Sequence, residues 1–235
     1  MTHDSLPPTP PPSGRGRWFV AALCAAALVP ALLAGGCGEG PSRSPSSPSP
    51  ADAVVPATPL DAVLAGGSVV FFRHAERDAN AMSTAVLAAA DNAGECRPGS
   101  ELSPAGIADS EAIGRSFARR GIRIQAVYAS PTCRTVQMAT LAFGAFQTTR
   151  ILTWPDMWQP DEGAVLAVEL RALLGTRPAS GQTIVLVSHN NVLKADRVGI
   201  EVSLEQAEAA VFRPLGGQAF EFIGKVPLQE WVREP

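Results

Sequence analysis

Two histidines and two arginines, widely separated along the chain, carry the side-chain types that phosphoryl transfer needs. His74 stands in "FFRHAERDAN" beside Arg73, with Arg77 three residues on, and His189 stands in "LVSHNN" beside Asn190. Arg134 lies between them in "SPTCRT". Imidazole is a nucleophile at neutral pH. Guanidinium forks stay charged and match phosphate oxygens in pairs. A pocket holding Arg73, Arg134 and His189 around a nucleophilic His74 would offset the charge that builds during phosphoryl transfer. No metal is needed for that, and none is expected as a cofactor. A core histidine at a strand end is the plain alternative, but arginines beside an apolar run require an anion.

These residues must be delivered by strands. "SVVFF", "IQAVYAS" and "QTIVLVS" read as buried strands, and each runs directly into one of the charged or polar groups. Between them lie helical stretches. Residues 83–90 suit a short helix. "SPAGIADSEAIGRSFARRG" has Ser103 as N-cap, Pro104 in the first turn and Gly121 as its stop. Helices are also expected from Pro131 to Gly144 and from the acids Asp161 and Glu162 to Gly175. "AAVFRPLGGQAFEFIGKV" reads as a closing hairpin turning at Leu215-Gly216-Gly217. Alternating strands and helices predict an α/β three-layer sandwich with a mostly parallel central sheet flanked by helices. Ligands in such sheets bind beyond the carboxyl ends of the strands, where the histidines fall.

The fragments "FFRHAER", "LSPAG", "VYASPTCRTVQMA" and "LVSHNN" together resemble, in order, the landmarks of the histidine phosphatase superfamily, whose fold is phosphoglycerate mutase-like. The resemblance spans roughly residues 66 to 225. It implies a covalent phosphohistidine at His74, with Arg73, Arg134 and His189 as phosphate ligands and Arg77 as a substrate-binding group. Ala75 and Asn190 occupy positions where relatives often carry glycine, and Asn190 is a further candidate for substrate binding. The family usually supplies a carboxyl acid to the leaving group. Glu76, Asp156, Asp161 and Glu162 are the candidates, with Glu162 or Asp161 favoured. The implied activity is a phosphoric monoester hydrolase, its partner a phosphorylated small molecule or glycan. A phosphatase-like module that binds phosphorylated ligands without turnover is the alternative. "FFRHAERDAN" with Cys96 and Cys133 is also similar to bacterial members associated with lipopolysaccharide core phosphates.

The remaining sequence bears on location. The 235 residues are 46% hydrophobic with a formal net charge of -3, which gives no basic surface for nucleic acid. Arg15 and Arg17 precede a 17-residue apolar run, residues 18–34, that fits a signal peptide better than a spanning helix. Its end, "LLAGGC", resembles a bacterial lipobox with Cys37 as the lipidated residue. An uncleaved anchor and ordinary secretion are the other readings, and all three put the domain outside the cytosol. The expected organisation is a lipoprotein signal peptide over 1–36, a Pro/Ser-rich disordered tether over 37–59 and one phosphatase domain over 60–235. Outside the cytosol Cys96 and Cys133 suggest a disulfide, the rival being a zinc site with His74 and His189. The sequence leaves the substrate and the oligomeric state open.

Overall fold

The computed structural model describes residues 58–78, 83–154, 157 and 161–234. All lie within one of the two units into which the chain divides, residues 51–235. The expected signal peptide, Cys37 and nearly all of the expected tether fall outside the described residues.

Helix α1, Pro59–Ala65, begins where the tether was expected to end. Thr58 and Asp61 close a reciprocal capping box, and Pro59 supplies a first-turn residue that needs no hydrogen-bond donor. Residues 58 and 59 therefore belong to the folded domain. Strand β1, Val69–Arg73, begins with four apolar residues buried on both faces and ends in the half-buried Arg73. It leads through the site loop to α2, Thr84–Ala93, capped by Ser83. Helix α3, Pro104–Arg119, starts at Ser103 as expected, its side chain accepting from the Gly106 amide. Strand β2, Ile124–Ala129, then feeds α4, Cys133–Phe143. A two-residue strand β3, Gln147–Thr148, and a 3-10 turn, Arg150–Leu152, precede α5, Gly163–Leu174. Strand β4, Thr183–Ser188, is followed by a short α6, Ala195–Val198. The hairpin β5, Ala209–Gly216, and β6, Ala219–Val226, leads to α7, Leu228–Val232. The hairpin turns at Gly217 and Gln218, slightly beyond the expected position, because β5 continues through Gly216 to pair with Ala219.

The sheet order is β3-β2-β4-β1-β5-β6. The first four strands are parallel, and β5 runs antiparallel to both β1 and β6. Alternate residues of the strands face opposite sides, as the two-residue period of a strand requires. Val70, Phe72, Val185 and Val187 pack with Val63 of α1, Ile113 and Phe117 of α3, Met138 of α4 and Trp231 of α7. Val69, Phe71, Ile184 and Leu186 face Leu170 and Leu174 of α5 and Val198 of α6. The three-layer α/β architecture read from the sequence is the observed one. Among the described residues, no helix is long and apolar enough to cross a membrane.

Register sets the site. Because β1 and β4 pair with Arg73 opposite Ser188, the next residues, His74 and His189, leave the sheet side by side. The His74 amide still bonds the Ser188 carbonyl at 2.9 Å, and the Ser130 amide after β2 bonds Val187 at 2.9 Å. Three strand ends thus reach one rim. The start of α3 is pressed onto the same rim. The Ser103 amide bonds the Glu76 carbonyl at 2.9 Å, and a Cβ on Gly106 would stand 2.1 Å from that oxygen. Only glycine permits this approach, so "LSPAG" positions the loop that follows His74.

Candidate active site

His74 and His189 are both buried, with ring centroids 5.3 Å apart and planes at 67°. The Nδ1 of His74 lies 2.8 Å from the carbonyl oxygen of Ala75. A carbonyl can only accept, so Nδ1 carries the proton and Nε2 keeps its lone pair. Burial, then the Arg134 charge, with smaller pushes from Arg73 and Arg77, holds the ring well below its ordinary value of 6.5, against a weaker opposing pull from the Ala75 bond. The ring is therefore neutral at physiological pH, in the tautomer a nucleophile needs.

His189 is fixed in the other tautomer. Arg134 Nη2 donates to its Nδ1 at 3.2 Å. Its Nε2 then holds the proton, 3.0 Å from Ser130 Oγ and 3.4 Å from Thr132 Oγ1. Burial first, then the charge on Arg134, keeps this imidazole neutral too.

The two arginines are anchored differently. Arg73 Nη1 donates to the Leu204 carbonyl at 2.7 Å. Burial lowers its pKa, while Glu205 and Glu208 oppose that shift. Arg134, at the start of α4, is almost wholly enclosed and pairs through Nη1 with Asp91 Oδ1 at 2.8 Å. The Nε atoms of both arginines are buried without a hydrogen-bond partner. Such donors mark a site built for something beyond the protein itself.

Arg73, His74, Arg77, Arg134 and His189 line one cavity of about 270 Å³, together with Leu87, Trp154, Asn190, Asn191 and Gln206. The structure thus brings together the four residues expected to grip phosphate, and Arg77 with them. Arg77 is half-buried and steadied by a bond from Nη1 to the Gly99 carbonyl at 3.0 Å. Asn190 lines the cavity, but its Oδ1 accepts from the Leu204 amide at 2.6 Å and Ser203 Oγ at 3.3 Å. Its oxygen laces two loops together.

The structure does not bring Glu162, the favoured acid, to the cavity. Glu162 sits just before α5, with its carboxylate 2.8 Å from Arg150. Asp161 is exposed and also outside the lining, and Glu76 is exposed and accepts from Ser103 Oγ at 2.8 Å. Asp156 lies outside the described residues. Among the described residues, no carboxylate lines the cavity.

Asp91 is the functional residue that sequence reasoning missed. The expected helix over 83–90 stops one residue before it, whereas α2 runs on to Ala93. A lone acid in "TAVLAAADNA" was the available signal, since an unpaired charge on an apolar helix requires a cation.

Cys96 and Cys133 are bonded, which answers the choice between a disulfide and a zinc site with His74 and His189. Among the described residues, no group of three His, Cys, Asp or Glu is placed to hold a metal ion. The disulfide ties the 95–100 loop to the first residue of α4, next to Arg134.

Residues 69–163 match the family model described as "Histidine phosphatase superfamily (branch 1)". The segment includes Arg73, His74, Asp91 and Arg134, and His189 lies beyond it. Over that segment the chain is similar to the histidine phosphatase superfamily. Among curated proteins nothing matches the chain. Similar solved structures include the protein histidine phosphatase SixA complexed with tungstate, at 16% identity and a TM-score of 0.47, covering 68% of this chain and 97% of that one. A phosphoserine phosphatase from Entamoeba histolytica shares 14% identity with a TM-score of 0.45, covering 69% and 98%. Bacillus stearothermophilus YhfR shares 15% identity with a TM-score of 0.45, covering 67% and 95%.

Proposed function

We propose that the chain is a phosphatase of the histidine phosphatase superfamily, cleaving a phosphomonoester through a phosphohistidine at His74. The observation that carries this reading is the His74 tautomer: Nδ1 is spent on the Ala75 carbonyl and Nε2 is left with its lone pair, inside a cavity of guanidiniums.

In the first step Nε2 forms a bond to phosphorus, and the phosphorus–oxygen bond to the alcohol breaks. The departing alkoxide takes its proton from solvent water, since no carboxylate among the described residues lines the cavity. In the second step water attacks phosphorus, the phosphorus–nitrogen bond breaks, and inorganic phosphate leaves with His74 neutral again. Arg73 and Arg134 stabilise the equatorial oxygens, whose charge rises in each transition state. Since guanidiniums carry this positive charge, the steps need no metal. Arg77 suits a second anionic group of the substrate.

The substrate in this reading is an envelope sugar or lipopolysaccharide phosphate, and the protein is an extracytoplasmic lipoprotein held in the membrane through Cys37. The bonded cysteines support an oxidising compartment. Intact mass spectrometry of the membrane fraction tests the lipidated Cys37, and the unmodified mass overturns it.

A second reading, a module that captures phosphorylated ligands without turnover, draws on Glu162 being engaged with Arg150 outside the cavity. Phosphate release from p-nitrophenyl phosphate and a panel of sugar phosphates separates the two. Turnover that vanishes in His74→Ala supports the enzyme; wild type equal to His74→Ala supports the binder.

A further inference from the structure

Asn191 and Gln206 reach the cavity from two loops that the Asn190 side chain holds together. Gln206 and Ala207 are the central residues of a turn closed by the Glu208 amide on the Glu205 carbonyl at 3.2 Å. Ala207 has φ of 60°, the left-handed region that a residue with a Cβ enters at a cost of roughly 1–2 kcal/mol. It is the one non-glycine residue with positive φ among those described. The surrounding bonds enforce this conformation. The Ala207 amide bonds the His74 carbonyl at 3.2 Å, the Arg73 amide bonds Glu208 at 3.0 Å, and the Ala207 methyl is fully buried in the core. A backbone strained at a cavity rim and held from both sides presents the side chain beside it in a fixed place.

That side chain is Gln206, which is half-buried and lines the cavity. Neither its amide nor that of Asn191 makes a hydrogen bond within the described residues. Each therefore offers a donor and an acceptor, uncharged, beside the arginine cluster. Phosphate oxygens only accept, and the guanidiniums already supply their donors. Paired donor and acceptor groups instead match hydroxyls, which both give and take a hydrogen bond.

We propose that Asn191 and Gln206 form a neutral subsite that reads hydroxyl groups on the alcohol portion of the substrate, so that the preferred substrates are phosphate esters of polyhydroxylated alcohols. This rests on the phosphatase reading and adds to it the residues that select the leaving group. A site built to hydrogen-bond hydroxyls discriminates against analogues that lack them, because its own polar groups are left unpaired.

The test compares glucose 1-phosphate with phenyl phosphate on the full chain. In Gln206→Ala, Asn191→Ala and the double variant, the ratio of kcat/KM for the sugar ester to that for the aryl ester falls by about tenfold per amide removed. Titration calorimetry with glucose 1-phosphate and inorganic phosphate, with His74→Ala added to the wild-type and variant chains to prevent turnover, gives the same comparison by binding alone, and there the ratio of affinities falls similarly. Gln206→Glu, which keeps the size and adds a negative charge, lowers the affinity for glucose 1-phosphate further. Ratios unchanged in all variants, with wild type binding inorganic phosphate, overturn the subsite alone. Wild type that binds neither inorganic phosphate nor glucose 1-phosphate overturns the phosphatase reading as well.

Discussion

The carboxylate of Asp91 holds the guanidinium of Arg134 at 2.8 Å, in an ion pair almost completely closed to water. The same guanidinium reaches His189 with its other terminal nitrogen. One acid on α2 therefore orients a guanidinium on α4 and, through it, the tautomer of an imidazole at the end of β4. Removing one partner of such a pair leaves a buried charge uncompensated. Asp91→Ala is expected to destabilise the domain by about 3 kcal/mol, measured by denaturant unfolding. Asp91→Asn keeps the shape and loses the charge. Because Asp91 acts through Arg134, it raises KM for p-nitrophenyl phosphate by roughly ten- to a hundredfold, more than it lowers kcat. An unchanged KM contradicts the positioning role.

The bond between Cys96 and Cys133 spans 37 residues. Closing a loop of that length in the unfolded chain stabilises the fold by about 3–4 kcal/mol. Cys96→Ser with Cys133→Ser is expected to lower Tm and to raise KM, since Cys133 opens α4 directly before Arg134. A variant with a lower Tm and an identical KM would make the bond a stabiliser alone.

Both site histidines are held neutral by burial, below their ordinary value of 6.5. Between the folded and ordinary values the unfolded rings bind protons that the folded rings refuse. The associated stability is complete above 6.5 and is lost as pH falls below it. Tm is expected to fall between about pH 7 and about pH 5, and the fall is shallower in His189→Asn. Identical slopes would contradict the neutral-imidazole account. For the same reason the acid limb of kcat/KM due to His74 lies below 6.5.

Glu162 was the favoured acid on the sequence, and its pairing with Arg150 outside the cavity argues for a lesser role. Glu162→Gln is expected to leave kcat within about threefold and to cost less than about 1 kcal/mol, as befits a partly exposed pair. A loss of two or more orders of magnitude, restored for substrates with good leaving groups, would return Glu162 to the chemistry.

How far the sequence could be read depended on what each signal reports. The buried strands β1, β2 and β4 were legible because continuous apolar runs leave little choice of environment. Each ends in a charged or polar group, so the rim that collects His74, Arg134 and His189 was legible too. The helix starting at Ser103 announced itself through its cap and Pro104. Asp91 was not legible, because its meaning lies in an arginine 43 positions away that only tertiary packing brings near. The position of Glu162 was not legible for a different reason. An acid before a helix looks the same in sequence whether it faces a cavity or a neighbouring arginine. Gln206 and Ala207 gave no cue, since positive φ on alanine is imposed by contacts with His74 and the core.

The central claim is that Nε2 of His74 takes the phosphoryl group. Rapid quenching of the enzyme with p-nitrophenyl phosphate, followed by peptide mass spectrometry under alkaline conditions, reads this directly. The account predicts a single acid-labile phosphoryl group on His74, formed as fast as turnover requires and absent from His74→Ala. Sustained turnover with His74 unmodified, or a phosphoryl group on another residue that persists in His74→Ala, would contradict it.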